Sequence, residues 1–420
     1  MDFVSSKFNY ATHDGKMSVL YNSLSNALFR FNDIQVASSI VNNNVNNINE
    51  YLFKSLVNNG FLVTSVADEF KCAKMKRLNQ IFSTDFLFQI MLTHQCNFNC
   101  TYCYEELDER VMSEESFANA YNRIYRNRYK MSSLSVEWFG GEPLLMHNQI
   151  MKFSTKLMRL ANFMRIPYRA SISTNAYLLS ALVLRNLLSV NVFCFHVTLD
   201  GTREYHNQKR ICDDGTGSFD TIMGNLSEIK EIKTRTFRII IRVNLSKDMI
   251  HDIDYLMKHL EVNFAHDDRF LIYFRPIGDW CGETTGLAPD HNDFKKMLEE
   301  VLKSSRRLNY DFYYELLNQG FCPLRRKNSY RINVDGLTQK CILQSNGYSM
   351  DSDELELQYD WLIGTDTLSD KCGRCSLYGH CFGGACKISE RKCGYENSDI
   401  DTVLKLISVK NVSSRYVVQH

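Results

Sequence analysis

The chain has 420 residues, too many for one core at about 150 residues per domain. Hydrophobic residues make up 44% and charged residues 23%, which excludes wholesale disorder or a fibrous repeat. Lys and Arg total 49 against 48 Asp and Glu, so the basic excess of a protein built to grip nucleic acid is missing.

The opening MDFVSSKFNY has no apolar signal core, and a cytoplasmic location is expected. Residues 1–82 read as a small separate module. Strand-like runs at Phe8 to Ala11 and Met17 to Tyr21 flank Asp14-Gly15, a hairpin signal, and a third run covers Ala27 to Phe31. A helix to about Asn43, a second around Tyr51 to Val57 stopped by Gly60, a strand at Phe61 to Val66 and a helix from Asp68 to Ile81 follow. Three short strands with helices resemble a winged-helix module. Without a basic surplus, capture of a peptide by strand addition at a sheet edge is its more physical use.

From Phe86 the chain alternates strands and helices. The expected strands are Phe86 to Thr93, Ser135 to Phe139, Arg169 to Thr174, Val192 to Leu199, Phe237 to Leu245 and Phe270 to Arg275. Such alternation implies parallel strands with crossover helices, in a barrel or an open sheet, and ligands that gather at the C-terminal strand ends. The most apolar stretch, Ala181 to Leu199, is broken by Arg185, Asn186, Asn191 and His196, so no membrane span is expected. Helices at Asn292 to Arg307 and Phe312 to Asn318 lead into a Cys-rich segment.

Ten of the 14 cysteines fall in two groups, which points to metal or redox chemistry. The first is Cys96-x3-Cys100-x2-Cys103, directly after the first strand of the alternating region. Three thiolates in eight residues can wrap one small cluster. A structural zinc would want a fourth ligand, whereas a cubane held by three Cys leaves one iron open to a small molecule. The second group comprises Cys322, Cys341, Cys372, Cys375, Cys381, Cys386 and Cys393. Seven thiolates are too many for one zinc and fit two clusters, with one or two zinc ribbons as the alternative. Few long apolar runs occur between Cys322 and Cys393, so metal would supply much of that segment's folding energy. The scattered Cys72, Cys194, Cys212 and Cys281 are expected as buried apolar thiols.

The Cys96, Cys100, Cys103 motif with Tyr102 beside its last Cys resembles the signature of radical S-adenosylmethionine (SAM) enzymes. Gly140-Gly141-Glu142-Pro143, Ser173-Thr174-Asn175 and Thr198-Leu199-Asp200-Gly201, each at a strand end, extend the likeness. The later Cys pattern resembles the SPASM extension, and the first module resembles the peptide-recognition element of maturases of ribosomally made peptides. This resemblance implies a partial (β/α)6 TIM-like barrel over residues 83–290, a winged-helix-like leader-recognition module over 1–82 and a SPASM domain over 291–420. It further implies three [4Fe-4S] clusters. Cys96, Cys100 and Cys103 would hold the one that chelates SAM. Cys322, Cys341 and Cys386 would hold auxiliary cluster I, and Cys372, Cys375, Cys381 and Cys393 auxiliary cluster II. Tyr102, Gly140, Gly141, Glu142, Asn175, Thr198 and Arg210 would bind SAM, Arg210 through its carboxylate.

The implied activity is an oxidoreductase that removes hydrogen from a precursor peptide and installs a thioether or carbon–carbon crosslink. Its partners would be the precursor's leader and a one-electron reductant of the flavodoxin or ferredoxin type. Anaerobic sulfatase maturation is disfavoured because Ile342 stands where those enzymes carry an acid. Peptide epimerisation is a further alternative, and a cluster- or zinc-bound regulator is the different-class one. The spacing departs from the family in two places. Four residues separate Cys381 from Cys386 instead of three, with Gly383 and Gly384 able to absorb the insertion. No extra Cys shortly precedes Cys322, which would leave auxiliary cluster I with an open iron unless Cys281 or a carboxylate reaches it.

Overall fold

A computed structural model describes residues 2–45, 48–105, 107–249, 251–278, 286–304, 307–319, 322–323, 326–339, 372–381, 400–409 and 417–419. The chain divides into two compact units. One comprises Met1–Phe82, Tyr310–Arg325 and Leu355–His420, the other Ser83–Asn309 and Arg326–Glu354.

The first unit opens with β1 (Phe3–Ser5), β2 (Asn9–His13), β3 (Ser18–Asn22) and β4 (Leu28–Phe31). The helices α1 (Val36–Val41) and α2 (Glu50–Asn58), the short β5 (Leu62–Thr64) and α3 (Glu69–Ile81) follow. β2, β3 and β4 form an antiparallel meander, and β1 pairs with β5. The β2–β3 turn is the expected Asp-Gly hairpin. Asp14 Oδ1 accepts from the amides of Lys16 and Met17 at 2.9 Å each, and Gly15 takes a φ of +90° that other residues resist. Leu20, Phe29 and Phe31 on one sheet face meet Ala37, Ile40, Leu52, Leu56 and Phe61.

The second unit alternates β6 (Asp85–Met91), β7 (Phe98–Cys100), α4 (Glu114–Arg126), β8 (Ser133–Phe139), α5 (His147–Met164), β9 (Tyr168–Thr174), α6 (Ala181–Ser189) and β10 (Val192–Thr198). It continues through α7 (Arg203–Lys209), β11 (Arg210–Cys212), α8 (Phe219–Lys230), β12 (Arg238–Leu245), α9 (Ile253–Phe264), β13 (Phe270–Pro276) and α10 (His291–Ser304). After α11 (Asp311–Gln319), which belongs to the first unit, β14 (Ser329–Ile332) and β15 (Thr338–Gln339) return to the sheet. The sheet order is β13-β12-β10-β9-β8-β6-β14-β15, parallel from β13 to β14. All six expected strands are present, each within two residues of its expected ends.

Parallel strands share one direction, so the loops after β6, β8, β9, β10 and β12 leave from a common end. That end carries the first Cys group and every expected SAM contact. Within the first unit, α12 (Tyr378–Cys381), α13 (Ile400–Val409) and β16 (Val417–Gln419) complete the described chain. No helix among the described residues is long and apolar enough to cross a membrane.

Candidate active site

The loop after β6 carries Cys96, Cys100 and Cys103, and its course is fixed from two sides. On one side the Gly140-Gly141-Glu142 turn is bonded to it. The Gly141 amide donates to Thr93 O at 2.9 Å and the Glu142 amide to Gln95 O at 2.8 Å. A Cβ on Gly140 would stand 2.5 Å from Thr93 O, and one on Gly141 2.3 Å from Gln95 O, so only glycine permits this approach. The glycines are thus required by the Cys loop's own backbone, before any bound ligand is considered. On the other side β7, inside the Cys loop, pairs antiparallel with β11, and Arg210 lies opposite Cys100. The Thr101 amide adds a bond to Lys209 O at 2.9 Å.

Glu142 is fully buried, and burial raises its pKa. Its Oε1 accepts from the Leu144 amide at 2.9 Å and from Thr174 Oγ1 at 2.7 Å, and its Oε2 accepts from the Asn175 amide at 2.7 Å. The carboxylate therefore ties the turn after β8 to the end of β9 rather than facing outward. Asn175 Nδ2 donates to Asn97 Oδ1 at 2.8 Å, so the third strand end grips the residue next to Cys96.

Arg210, Tyr102 and Asp200 form a buried knot. Arg210 donates through an amino nitrogen to Tyr102 Oη at 2.8 Å, and the Tyr102 hydroxyl donates to Asp200 Oδ2. Asn244 on β12 adds its side-chain amide to Tyr102 Oη at 3.2 Å and its backbone amide to Asp200 Oδ1 at 2.9 Å. Burial raises the Tyr102 pKa, so the phenol stays neutral. Arg210 Nε is buried with no partner among the described residues.

His206 on α7 fastens this knot from behind. The Asp200 amide donates to Nδ1 at 3.2 Å, which leaves the ring proton on Nε2 for Ser218 Oγ at 3.1 Å. Ser218 in turn donates to Arg210 O at 2.8 Å. Burial first, with Arg210 adding to it, pulls His206 down to about 2, so it is neutral. Thr202 caps the N-terminus of α7 by accepting from the Tyr205 amide at 3.3 Å.

Thr198 Oγ1 accepts from an Arg242 amino nitrogen at 3.1 Å, and Arg242 Nε is a second buried donor without a partner among the described residues. Beside Cys103, the charge of Arg331 lowers both the Tyr104 and Glu105 pKa against a larger rise from burial. Arg242 acts on Tyr104 and on His196, which burial chiefly lowers to about 4. On the barrel strands Gln89 donates to the half-buried Glu137 at 2.5 Å.

Burial pushes the Cys96 thiol up to about 12 and raises Cys100 and Cys103 as well. Cys100 and Cys103 add to the rise at Cys96, and Cys100 adds to that at Cys103. No three His, Cys, Asp or Glu among the described residues form a single-ion site. A cubane is a different demand, since it takes one thiolate at each of several separated corners and its iron charge reverses the cost of burying them. The two orphaned guanidinium donors match what a bound carboxylate needs. On these grounds the residues present fit a cluster with SAM on it.

Of the second Cys group, Cys372, Cys375 and Cys381 are half-buried around α12, and Cys322 is exposed. Cys372 and Cys375 pack against Phe8, Ala73, Ile81 and Tyr378, all in the first unit. Cys341, Cys386 and Cys393 lie outside the described residues, as do Cys281, Ile342, Gly383 and Gly384. The expectation of buried scattered thiols needs correction. Cys212 is buried, but Cys194 is half-buried with Sγ 3.7 Å from His196 Nε2, and Cys72 is exposed. The buried stripe of α3 runs through Glu69, Ala73, Arg77 and Ile81, one position away from Cys72.

Sequence reasoning missed Asp200 as a hub, along with His206, Ser218, Arg242 and Asn244. Asp200 stood inside a quoted motif. The others meet only through sheet register and helix placement, with no local signal.

Residues 90–260 match the family model described as the Radical SAM superfamily. Over 252 residues the chain is 26% identical to the radical SAM cyclopropyl synthase TigE of Paramaledivibacter caminithermalis, covering 55% of this chain and 49% of that one. Over 229 residues it is 23% identical to a cysteine-type anaerobic sulfatase-maturating enzyme of Clostridium perfringens, covering 52% and 58%. The chain thus spans about half the length of these curated relatives. Among solved structures, anSMEcpe with bound AdoMet and Cp18Cys peptide gives a TM-score of 0.59 at 19% identity, covering 77% of this chain and 96% of that one. SuiB of Streptococcus suis bound to its precursor peptide SuiA gives 0.50 at 17%, covering 91% and 95%. These two likenesses are of fold.

Proposed function

We propose that this chain, whose residues 90–260 are a radical SAM domain, is a maturase that installs a crosslink in a ribosomally made precursor peptide. The observation that carries this reading is the double fastening of the Cys loop, by the Gly140–Glu142 turn on one side and by β11 with Arg210 on the other. A [4Fe-4S] cluster on Cys96, Cys100 and Cys103 supplies, when bound, the electron that cleaves SAM and so the means to remove an unactivated hydrogen from a peptide. The chain's own residues bind and orient. Arg210 and Arg242 offer Nε donors to the SAM carboxylate, Thr198 and Asn175 line the strand ends, and Tyr102 keeps Arg210 aimed.

Glu105, Arg242 and Arg331 put both signs of charge around Tyr104, next to Cys103, which suits a polar peptide better than an apolar small molecule. The similarity to TigE and to sulfatase maturases is consistent with a peptide substrate, and the second Cys group would hold two auxiliary clusters that accept the electron left when a bond closes.

Anaerobic reconstitution should give about 12 irons per chain, four for each of three clusters. Replacing Cys96, Cys100 and Cys103 by Ala should remove about a third of the iron and all reductive cleavage of SAM, read as 5′-deoxyadenosine. Zinc at the second Cys group, with about four irons in all, would refute the three-cluster reading.

A further inference from the structure

Within the first unit, the turn that carries Cys372, Cys375 and Cys381 is seated on the corner that follows β3. Ser23 Oγ donates to Ser376 O at 2.5 Å. Leu24 approaches Gly379 so closely that a Cβ there would stand 2.7 Å from the Leu24 amide nitrogen. Tyr378, between Cys375 and Cys381, packs its ring against Phe70 of α3 at 5.5 Å. The three thiols are all half-buried and fall within ten residues, a donor set that suits an iron–sulfur cluster.

Lys76 of α3 reaches the same corner. Its ammonium donates to Leu24 O at 2.5 Å, so Leu24 turns its carbonyl to Lys76 while its amide stands against Gly379. Ala73, one turn earlier on α3, packs in the apolar cluster that Cys372 and Cys375 adjoin. Burial pulls His380 down to about 4 and the Lys76 charge adds to that, which puts the ammonium within electrostatic reach of the residue next to Cys381. Burial also lowers Lys76 itself, to about 8, and a nearby anion is what holds such a group charged.

We propose that Lys76 is a positioning residue for the redox centre of the second Cys group: its charge, held at the Leu24 corner, favours the reduced form of a cluster on Cys372, Cys375 and Cys381. The proposal rests on the reading of that group as a cluster site. A cubane on Cys thiolates is anionic, and reduction adds one electron and no proton, so the reduced form carries one more negative charge. A cation fixed nearby in a poorly solvated place stabilises that form more than the oxidised one and raises the reduction potential. Lys76 lies in the sequence of the first 82 residues, so that segment would act on electron transfer as well as on peptide capture.

The test is a redox titration of the reconstituted full-length chain, followed by electron paramagnetic resonance. A form with Cys372→Ala and Cys375→Ala identifies the signal of the second group by its loss. Two neutral variants, Lys76→Gln, which keeps a donor for Leu24 O, and Lys76→Met, which does not, are compared with Lys76→Arg. Both neutral forms should make reduction of that centre about tenfold less favourable, a downward shift of about 59 mV for one electron, while Lys76→Arg stays near the intact chain. Ser23→Ala loosens the same seat without removing charge and should leave the potential in place. Iron lost from both neutral forms but held by Lys76→Arg also supports a need for the charge. An unchanged potential in a neutral form that holds its iron overturns the proposal, as does an equal shift in Ser23→Ala or loss of the iron from all three Lys76 variants. An intact chain with no cluster signal beyond that of the Cys96 group overturns the cluster reading and this proposal together.

Discussion

Arg210 uses one amino nitrogen on Tyr102 and keeps Nε buried without a partner among the described residues. A planar carboxylate satisfies such a guanidinium in a way an ammonium group cannot copy. Arg210→Lys should therefore weaken equilibrium SAM binding by about ten- to a hundredfold, the range for losing a hydrogen bond to a charged group. Calorimetry on the cluster-loaded protein checks it, and unchanged affinity would remove Arg210 from the cofactor site. His206 makes a separate statement about pH. Its folded pKa of about 2 lies below the ordinary 6.5, so the unfolded chain takes the proton first. Its contribution is complete above about pH 6.5 and drains away as pH falls below that value, by up to about 1.4 kcal/mol per pH unit. His206→Gln should lower stability at pH 7.5 and flatten the decline between pH 7 and 5. A urea midpoint with the wild-type slope over that interval would show that His206 is not held neutral. The carboxylate role of Arg210 was legible through the family resemblance, at its distance from Thr198, whereas nothing in the sequence marked His206.

The elements differ in how openly their sequences declare them. The six barrel strands are seven or eight residues long, either apolar runs or apolar–polar alternations such as Ser133–Phe139, and their limits could be read within a couple of positions. β7 and β11 are three residues each, Phe-Asn-Cys and Arg-Ile-Cys, too short for any periodicity, and their pairing spans more than a hundred residues of chain. The Gly140-Gly141-Glu142 turn was legible as a motif but not as a clamp on the Cys loop. That difference yields a prediction. Gly141→Ala pushes a Cβ to 2.3 Å from Gln95 O, backbone that cannot step aside cheaply. Overpacking of this kind costs about 1–3 kcal/mol. The variant should unfold at lower urea and lose iron from the first Cys group while the second group keeps its own. Full iron retention with an unshifted midpoint would mean that the turn does not fix the Cys loop.

For the whole molecule, the sequence suggested three consecutive segments, whereas the residues before Phe82 share one compact unit with Tyr310–Arg325 and Leu355–His420. Phe8 stacks on Tyr378 at 6.3 Å, and a Cβ on Gly379 would stand 2.7 Å from the Leu24 amide. Removing residues 1–80 would strip the support from Cys372 and Cys375, so that deletion would confuse loss of the proposed leader binding with loss of the proposed auxiliary site. No local pattern forecasts such a contact, because it joins segments more than three hundred and fifty residues apart. What the loaded protein does to a peptide is read by mass spectrometry. The reconstituted chain, SAM, a one-electron reductant and a ribosomally made precursor peptide are incubated without oxygen, and the peptide is weighed and fragmented. Crosslinking predicts a product about 2 Da lighter, unreactive toward aldehyde reagents, with fragmentation suppressed between the two joined residues. Loss of the same mass without that gap would indicate ring closure inside one residue. An aldehyde would indicate sulfatase-type maturation, and an unchanged mass with one deuterium gained from heavy water would indicate epimerisation. A peptide unaltered in mass and in deuterium content, while 5′-deoxyadenosine accumulates, would contradict the claim.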